Sequence, residues 1–188
     1  MDKLFQISQV GGKTTEISIK ALSPIEQVMT KFANDLIKRA QDNLVKKNAN
    51  ASFNLSSSID PLPIKVMGNE YTLLIEWPTY GKFVDQGVRG AVSGDKAQGS
   101  PFKYTTKMPP RKSIEDWITN KGINPGGRRG DRFKAREQVA AAIQRSIYRF
   151  GTRRTLFFSD ALTTDMQEAL INDVAEALGK TISIQMKL

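Results

Sequence analysis

YGKFVDQGVRG, residues 80–90, is the stretch whose reading decides the fold. It admits three meanings: a loop that grips phosphate, a catalytic turn, or a structural joint. Tyr80, Phe83 and Val84 have the spacing of one helical turn packed back on a sheet, and Gly87 and Gly90 then release the chain. GVRG is not a GxGxxG fingerprint and no Walker sequence occurs, so the glycines read as permission for tight turning. A joint needs an ordered element before it and an excursion after it, and both are present.

Upstream, LPIKVMGNEYTLLIEW reads as a hairpin closed at Gly68-Asn69, with Tyr71, Leu73, Ile75 and Trp77 on one face. NANASFNLSSSI before it is rich in turn formers. SPIEQVMTKFANDLIKRAQDNLVKK is the strongest helix. Ser23 is its N-cap, Pro24 suits the first turn and Glu26 completes a capping box. Ile25, Val28, Met29, Phe32, Leu36, Ile37, Ala40 and Leu44 fall on one face at helical spacing, as a core stripe does. Within residues 1–20, KLFQIS and TEISIK read as two short strands about a GGK turn.

Downstream, residues 87–130 form an extended loop or insertion with one short helix. That helix is expected to be capped by Ser113, to face Ile114, Trp117 and Ile118 inward, and to end at NPGG. AREQVAAAIQRSIYRF places Val139, Ile143, Ile147 and Phe150 on one side. DALTTDMQEALINDVAEALGK does the same with Leu162, Met166, Leu170, Val174 and Leu178. In TISIQMKL, Ile182, Ile184, Met186 and Leu188 alternate with polar residues, the period of a terminal strand. The order of elements predicts one α+β domain over residues 1–188. A mostly antiparallel sheet is expected to pack against a long N-terminal helix and two C-terminal helices.

The chain has 188 residues and neither cysteine nor histidine. That excludes disulfides, thiolate and imidazole zinc sites, and Ser-His-Asp or Cys-His nucleophiles. Asp160 with Asp165, or Glu115 with Asp116, are the carboxylate pairs a magnesium ion would use. Near helix starts they read instead as caps and surface charge, so no metal, cofactor or catalytic residue is expected. No apolar run approaches the ~18 residues of a membrane span, and the first residues lack a signal-peptide layout.

Charge is unevenly spread. The formal net charge is +9. Residues 121–154 carry Lys121, Arg128, Arg129, Arg132, Lys134, Arg136, Arg145, Arg149, Arg153 and Arg154 against Asp131 and Glu137 alone. Residues 155–179 carry Asp160, Asp165, Glu168, Asp173 and Glu176 and no Lys or Arg. Three readings stay open. The two helical regions neutralise each other within a subunit; or a basic face meets the acidic face of the next subunit, as in a ring; or the arginines contact phosphate backbone without reading sequence.

The motif order adds a resemblance. NLSSSI precedes the hairpin, YGKFVDQGVRG follows it, and MPPRKSIEDWITNKGI and AIQRSIYRFGTRRTLFF lead to the last helix. This resembles the neck, head–tail joining and tail-completion proteins of tailed bacteriophages, in which N-L-x-x-S-I precedes strands and a Y-A-x-x-V-x-x-G turn. Tyr80, Val84 and Gly87 match that turn, and Gly81 stands where the alanine is usual. The likeness spans roughly residues 24–188, through loose motifs, and the 87–130 excursion is longer than in compact members. It implies a small α+β structural protein of the virion, made in the host cytoplasm. It also implies a ring of copies meeting portal, neck or tail proteins, with double-stranded DNA as a possible passing partner.

Overall fold

The computed structural model describes residues 23–68, 70–124 and 132–179, with side chains of the last stretch described from residue 135. The expected strands within residues 1–20 and 181–188, Asn69 of the hairpin turn, and Arg128 and Arg129 lie outside the described residues. So do the side chains of Arg132 and Lys134.

Helix α1 (Pro24–Lys46) starts as its sequence dictates. The Ser23 backbone N–H donates to Glu26 Oε2 at 2.7 Å, and the Glu26 N–H donates to Ser23 Oγ at 3.3 Å. The Ser23 backbone N–H, and then the Ser23 side chain, hold the Glu26 carboxyl below the usual carboxylate range. The predicted stripe is the core face: Ile25, Leu36, Ile37, Ala40 and Leu44 are buried, with Ala33 beside them. A short helix α2 (Asn54–Ser57) follows and buries Leu55.

The chain then makes a ribbon of four antiparallel pieces. The outer pair is β1 (Asp60–Pro61) with β4 (Ile75–Glu76), and the inner pair is β2 (Lys65–Met67) with β3 (Glu70–Thr72). Asp60 faces Glu76, whereas Lys65 faces Thr72, so three residues on one side oppose two on the other. The extra residue falls around Pro63, which lacks a ladder N–H and so belongs in a bulge. The ribbon's base packs inward through Ile75 and Trp77, and Tyr71 reaches α1 and the last helix. Its tip does not: Val66 is exposed and Met67 is 76 % exposed.

Helix α3 (Gly81–Gln86) is the turn expected from the opening stretch. Val84 packs on the main core. Phe83 does not join it, but meets Phe102 edge-on at 4.7 Å, and Tyr80 stays largely exposed. Helix α4 (Arg111–Asn120) begins two residues before Ser113, with Pro110 in extended conformation at its cap. Two consecutive prolines force an extended entry, so Ser113 lies inside the first turn and is not the cap. Ile114 and Ile118 are buried, but Trp117 is 40 % exposed. The helix also ends before NPGG, at the left-handed Gly122.

Helix α5 (Arg132–Phe150) packs on α4: Ala140, Val139, Ile143 and Ile147 enclose Ile114 and Ile118. Phe150 leaves this face for the surface. Helix α6 (Thr164–Leu178) is capped by Thr163, three residues after the expected start, and lies along α1. Its outermost apolar residue, Leu178, is exposed. The main core joins α1 to Phe157, Phe158, Ala161 and Met166, with Trp77 edge-on to Phe158 at 4.1 Å. The described strands and helices thus make an α+β fold with a small antiparallel portion. None of the described helices is long and apolar enough to cross a membrane.

Candidate functional site

Asp85 shows why the opening stretch has its form. It is 5 % exposed, on the last turn of α3. Its Oδ1 accepts the Phe158 N–H at 2.9 Å and the Ser159 N–H at 3.3 Å, and its Oδ2 accepts the Ser159 hydroxyl at 2.6 Å. The Asp85 carbonyl also accepts the N–H groups of Thr155 and Leu156. Leu156 sits at φ 49, a conformation disfavoured for a branched residue, which these bonds hold in place. One acidic side chain thereby fastens α3 to the turn that delivers Phe157 and Phe158 to the core.

Beyond Asp85 two strands of backbone cross. Gly87 has φ 68, and a Cβ there would lie 2.8 Å from the Thr152 carbonyl oxygen. A Cβ on Gly90 would lie 2.2 Å from the Arg149 oxygen, and one on Gly151 2.1 Å from the Val88 oxygen. Side chains are excluded on both sides of the crossing. Val88 bridges Thr152, and Ser100 Oγ donates to the Gly87 carbonyl from a buried position. Gly87 thus takes a conformation and a close approach that leave no room for a side chain, while Val84 packs on the main core. Gly151, Gly90 and Asp85 share the joint, although nothing local in RFGTRR signals that it meets GVRG.

The excursion after the joint is pinned along α5. The N–H groups of Ala91, Val92 and Ser93 donate to the last carbonyls of α5, at Tyr148 and Arg149. Arg89 and Lys103 pair as a parallel bridge. Tyr148 Oη donates to the Thr105 carbonyl at 2.6 Å, and Gln144 Nε2 to the Pro109 carbonyl at 2.7 Å. Positions 148, 144 and 140 are one turn apart, so the descending limb runs antiparallel to α5 before becoming α4. Lys121 Nζ then donates to the Asn48 and Asn50 carbonyls, tying the end of α4 to the end of α1.

This path gathers cations that are far apart in sequence. Lys82 Nζ lies 5.2 Å from the Phe83 ring centre and 5.7 Å from that of Phe102. Lys96 Nζ and Arg149 Cζ lie 5.9 Å and 5.2 Å from the centre of Phe150. Arg154 donates to the Gln98 carbonyl, and Arg89 runs under Gly94. Asp95 is the one acid carried on the 88–103 loop, and it accepts from Ser93. Partial burial, as of Tyr104, raises the phenol's pKa.

Among the described residues the predicted basic and acidic groups form no ion pair with one another. Among the described residues the ion pairs are Lys47–Asp160 at 2.5 Å and Lys112–Asp116 at 3.3 Å, and neither joins the basic region to α6. Arg145, Arg149, Arg153 and Arg154 are exposed at the α5 end, while Arg136 is half-buried with its Nε unpartnered. On the other side, an open groove of about 510 Å³ runs between α1 and α6. Asp165 and Asp173 line it opposite Lys31, Lys38 and Arg39, and Glu168 and Glu176 stay exposed on α6. α1 also brings Asp35 and Asp42 to the groove, so acids and bases are mixed along it, and among the described residues no ion pair forms across it. Lys96 and Lys103 were not among the residues singled out from sequence; only the pinning of the loop brings them to the end of α5. Among the described residues, no three Asp or Glu side chains converge on a point.

No known family, curated protein or solved structure matches this chain.

Proposed function

We propose that the protein is a structural, ring-forming neck or tail adaptor of a tailed bacteriophage, acting in head–tail joining or tail completion. The observation that carries this reading is the β-ribbon. Its base is anchored in the core, but Val66 and Met67 at its tip are exposed, with Leu62 and Leu74 partly so. A two-stranded ribbon with open backbone edges and apolar tips is costly in water and suits a surface completed by a neighbour. Strand addition along such an edge is a common way for assembly proteins to join.

The motif resemblance supplies the kind of assembly, and the joint at Asp85 gives its Tyr80–Val84–Gly87 element a structural role. The reading assigns no catalysis, in line with a chain lacking histidine and cysteine. The test is co-expression with the products of its flanking genes, followed by light scattering and negative-stain imaging. Closed rings, or co-purification in a portal- or tail-containing particle, are expected. A protein that stays monomeric at high concentration and joins none of those partners would sink the reading. Val66→Asp with Met67→Asp should abolish assembly and leave the monomer folded.

A further inference from the structure

We propose that the 88–103 loop and the C-terminal end of α5 form a sequence-independent binding surface for the phosphate backbone of duplex nucleic acid. Its cations are Lys82, Arg89, Lys96, Lys103, Arg149 and Arg154, which the loop's path places on one joint. This surface does not depend on the ring reading.

Three observations carry it. First, these side chains have no ion-pair partner among the described residues, and Asp95 is the one acid that the 88–103 loop sets against them. Like charges gathered with little counter-charge oppose folding, and such a patch raises the local concentration of anions. Second, the arginines are not needed to cap α5. Basic residues at a helix C-terminus ordinarily satisfy its last carbonyls. Here the backbone N–H groups of Ala91, Val92, Ser93 and Gly151 already do so. Third, the described acidic side of a second copy is mixed in sign: its groove sets Asp35, Asp42, Asp165 and Asp173 among Lys31, Lys38 and Arg39, with Glu168 and Glu176 exposed on α6. A partner that carries its negative charge at high density fits better, and duplex phosphate does. Phe150 lies against both Lys96 and Arg149, so its ring serves to hold cations rather than to stack on bases. Contact with backbone alone carries no sequence information.

The experiment is fluorescence anisotropy with a labelled 30-base-pair duplex of random sequence, titrated with the full-length protein at several salt concentrations. Six phosphate contacts would give a slope of log K against log salt of about −5. Two triple variants are compared. Lys96→Gln, Lys103→Gln and Arg149→Gln remove three surface cations. Lys31→Gln, Lys38→Gln and Lys46→Gln remove the same charge from exposed positions on α1. Thermal melting checks that both are folded. The first triple should flatten the slope by about 3, at roughly 0.9 per contact, and the second should leave it near that of the parent. Equal flattening by both would overturn the proposal in favour of net charge alone. Absence of binding at 50 mM salt would overturn it outright. Salt-sensitive self-association that only the first triple abolishes, without duplex binding, would also overturn it and assign the surface to an acidic protein face. Ring formation is scored separately by imaging, so failure here is distinguishable from failure of the adaptor reading.

Discussion

Replacing Asp85 with alanine tests the joint most directly. The carboxylate accepts from the Phe158 N–H, the Ser159 N–H and the Ser159 hydroxyl, at 2.9, 3.3 and 2.6 Å. Bonds to a charged group contribute about 1.5–3 kcal/mol each, and a buried donor left without a partner costs about 1–3 kcal/mol. Phe158 is buried, so its N–H has no ready access to water; Ser159 is half-exposed, so water replaces part of what it loses. The Ser159 contacts are therefore discounted, and the expected cost of Asp85→Ala is about 3–5 kcal/mol. For a chain of 188 residues, each kcal/mol shifts the melting midpoint by about 2–4 °C, so the drop should be on the order of 10 °C. Asp85→Asn keeps one acceptor for the backbone donors, and its amide can donate to the Ser159 oxygen. It should cost about 1–2 kcal/mol, since only the charge-assisted part is lost. Urea unfolding measures both costs; for Asp85→Ala, Ser159→Ala and the variant carrying both, read as a double-mutant cycle, it gives the coupling. A cost under about 1 kcal/mol for Asp85→Ala would refute the claim that this residue fastens α3 to the core.

The backbone crossing predicts a contrast between two glycines with similar φ: Gly151→Ala should be severely destabilising, because its Cβ meets the Val88 oxygen at 2.1 Å. Gly68→Ala, with nothing within 4 Å, should cost only the conformational strain of about 1 kcal/mol, as measured by thermal melting. The α1 cap predicts a pH effect. Glu26 has a folded pKa below its unfolded one, so its contribution is present above the unfolded value and is lost as pH falls through the folded value. Acid titration of helicity should show this loss in the parent protein, and Glu26→Gln should remove that part of the pH dependence.

What was legible in the sequence was whatever has a local cause. The α1 stripe and its capping box are read from spacing alone, and so is the hairpin about Gly68. The misplacements share another cause. Ser113 looks like a cap, but Pro109 and Pro110 start α4 earlier, and a cap is chosen by the entry geometry as well as by residue type. Phe150 continues the apolar face of α5 in sequence, yet the helix end is closed by loop amides and the ring turns outward to Lys96 and Arg149. The charge split was visible, but its neighbours were not. Sequence order sets α5 beside α6, while packing sets α6 beside α1, so Asp165 and Asp173 share a groove with Lys31, Asp35, Lys38, Arg39 and Asp42. Contacts made across 60 or more residues, such as Val88 with Thr152, leave no local periodicity to read.

The way the loop is held bears on how the basic surface could act. A loop of this length is ordinarily free to move, and ordering it on binding would weaken binding. Here leaving α5 would orphan the carbonyls of Tyr148 and Arg149, expose the Gly87 contact to Ser100 and open the glycine crossing. Each of those losses costs about as much as a buried hydrogen bond, and they would fall together because one segment makes all of them. The cations are therefore set in place before any partner arrives. A surface fixed in this way gains affinity from charge without the entropy of ordering, and it loses that affinity steeply with salt. The same rigidity explains why the joint is made of glycines and a buried aspartate rather than of apolar packing. Close backbone approach fixes the angle at which the α4–α5 pair leaves the core, where side chains meeting through a soft apolar contact would leave it free to rock.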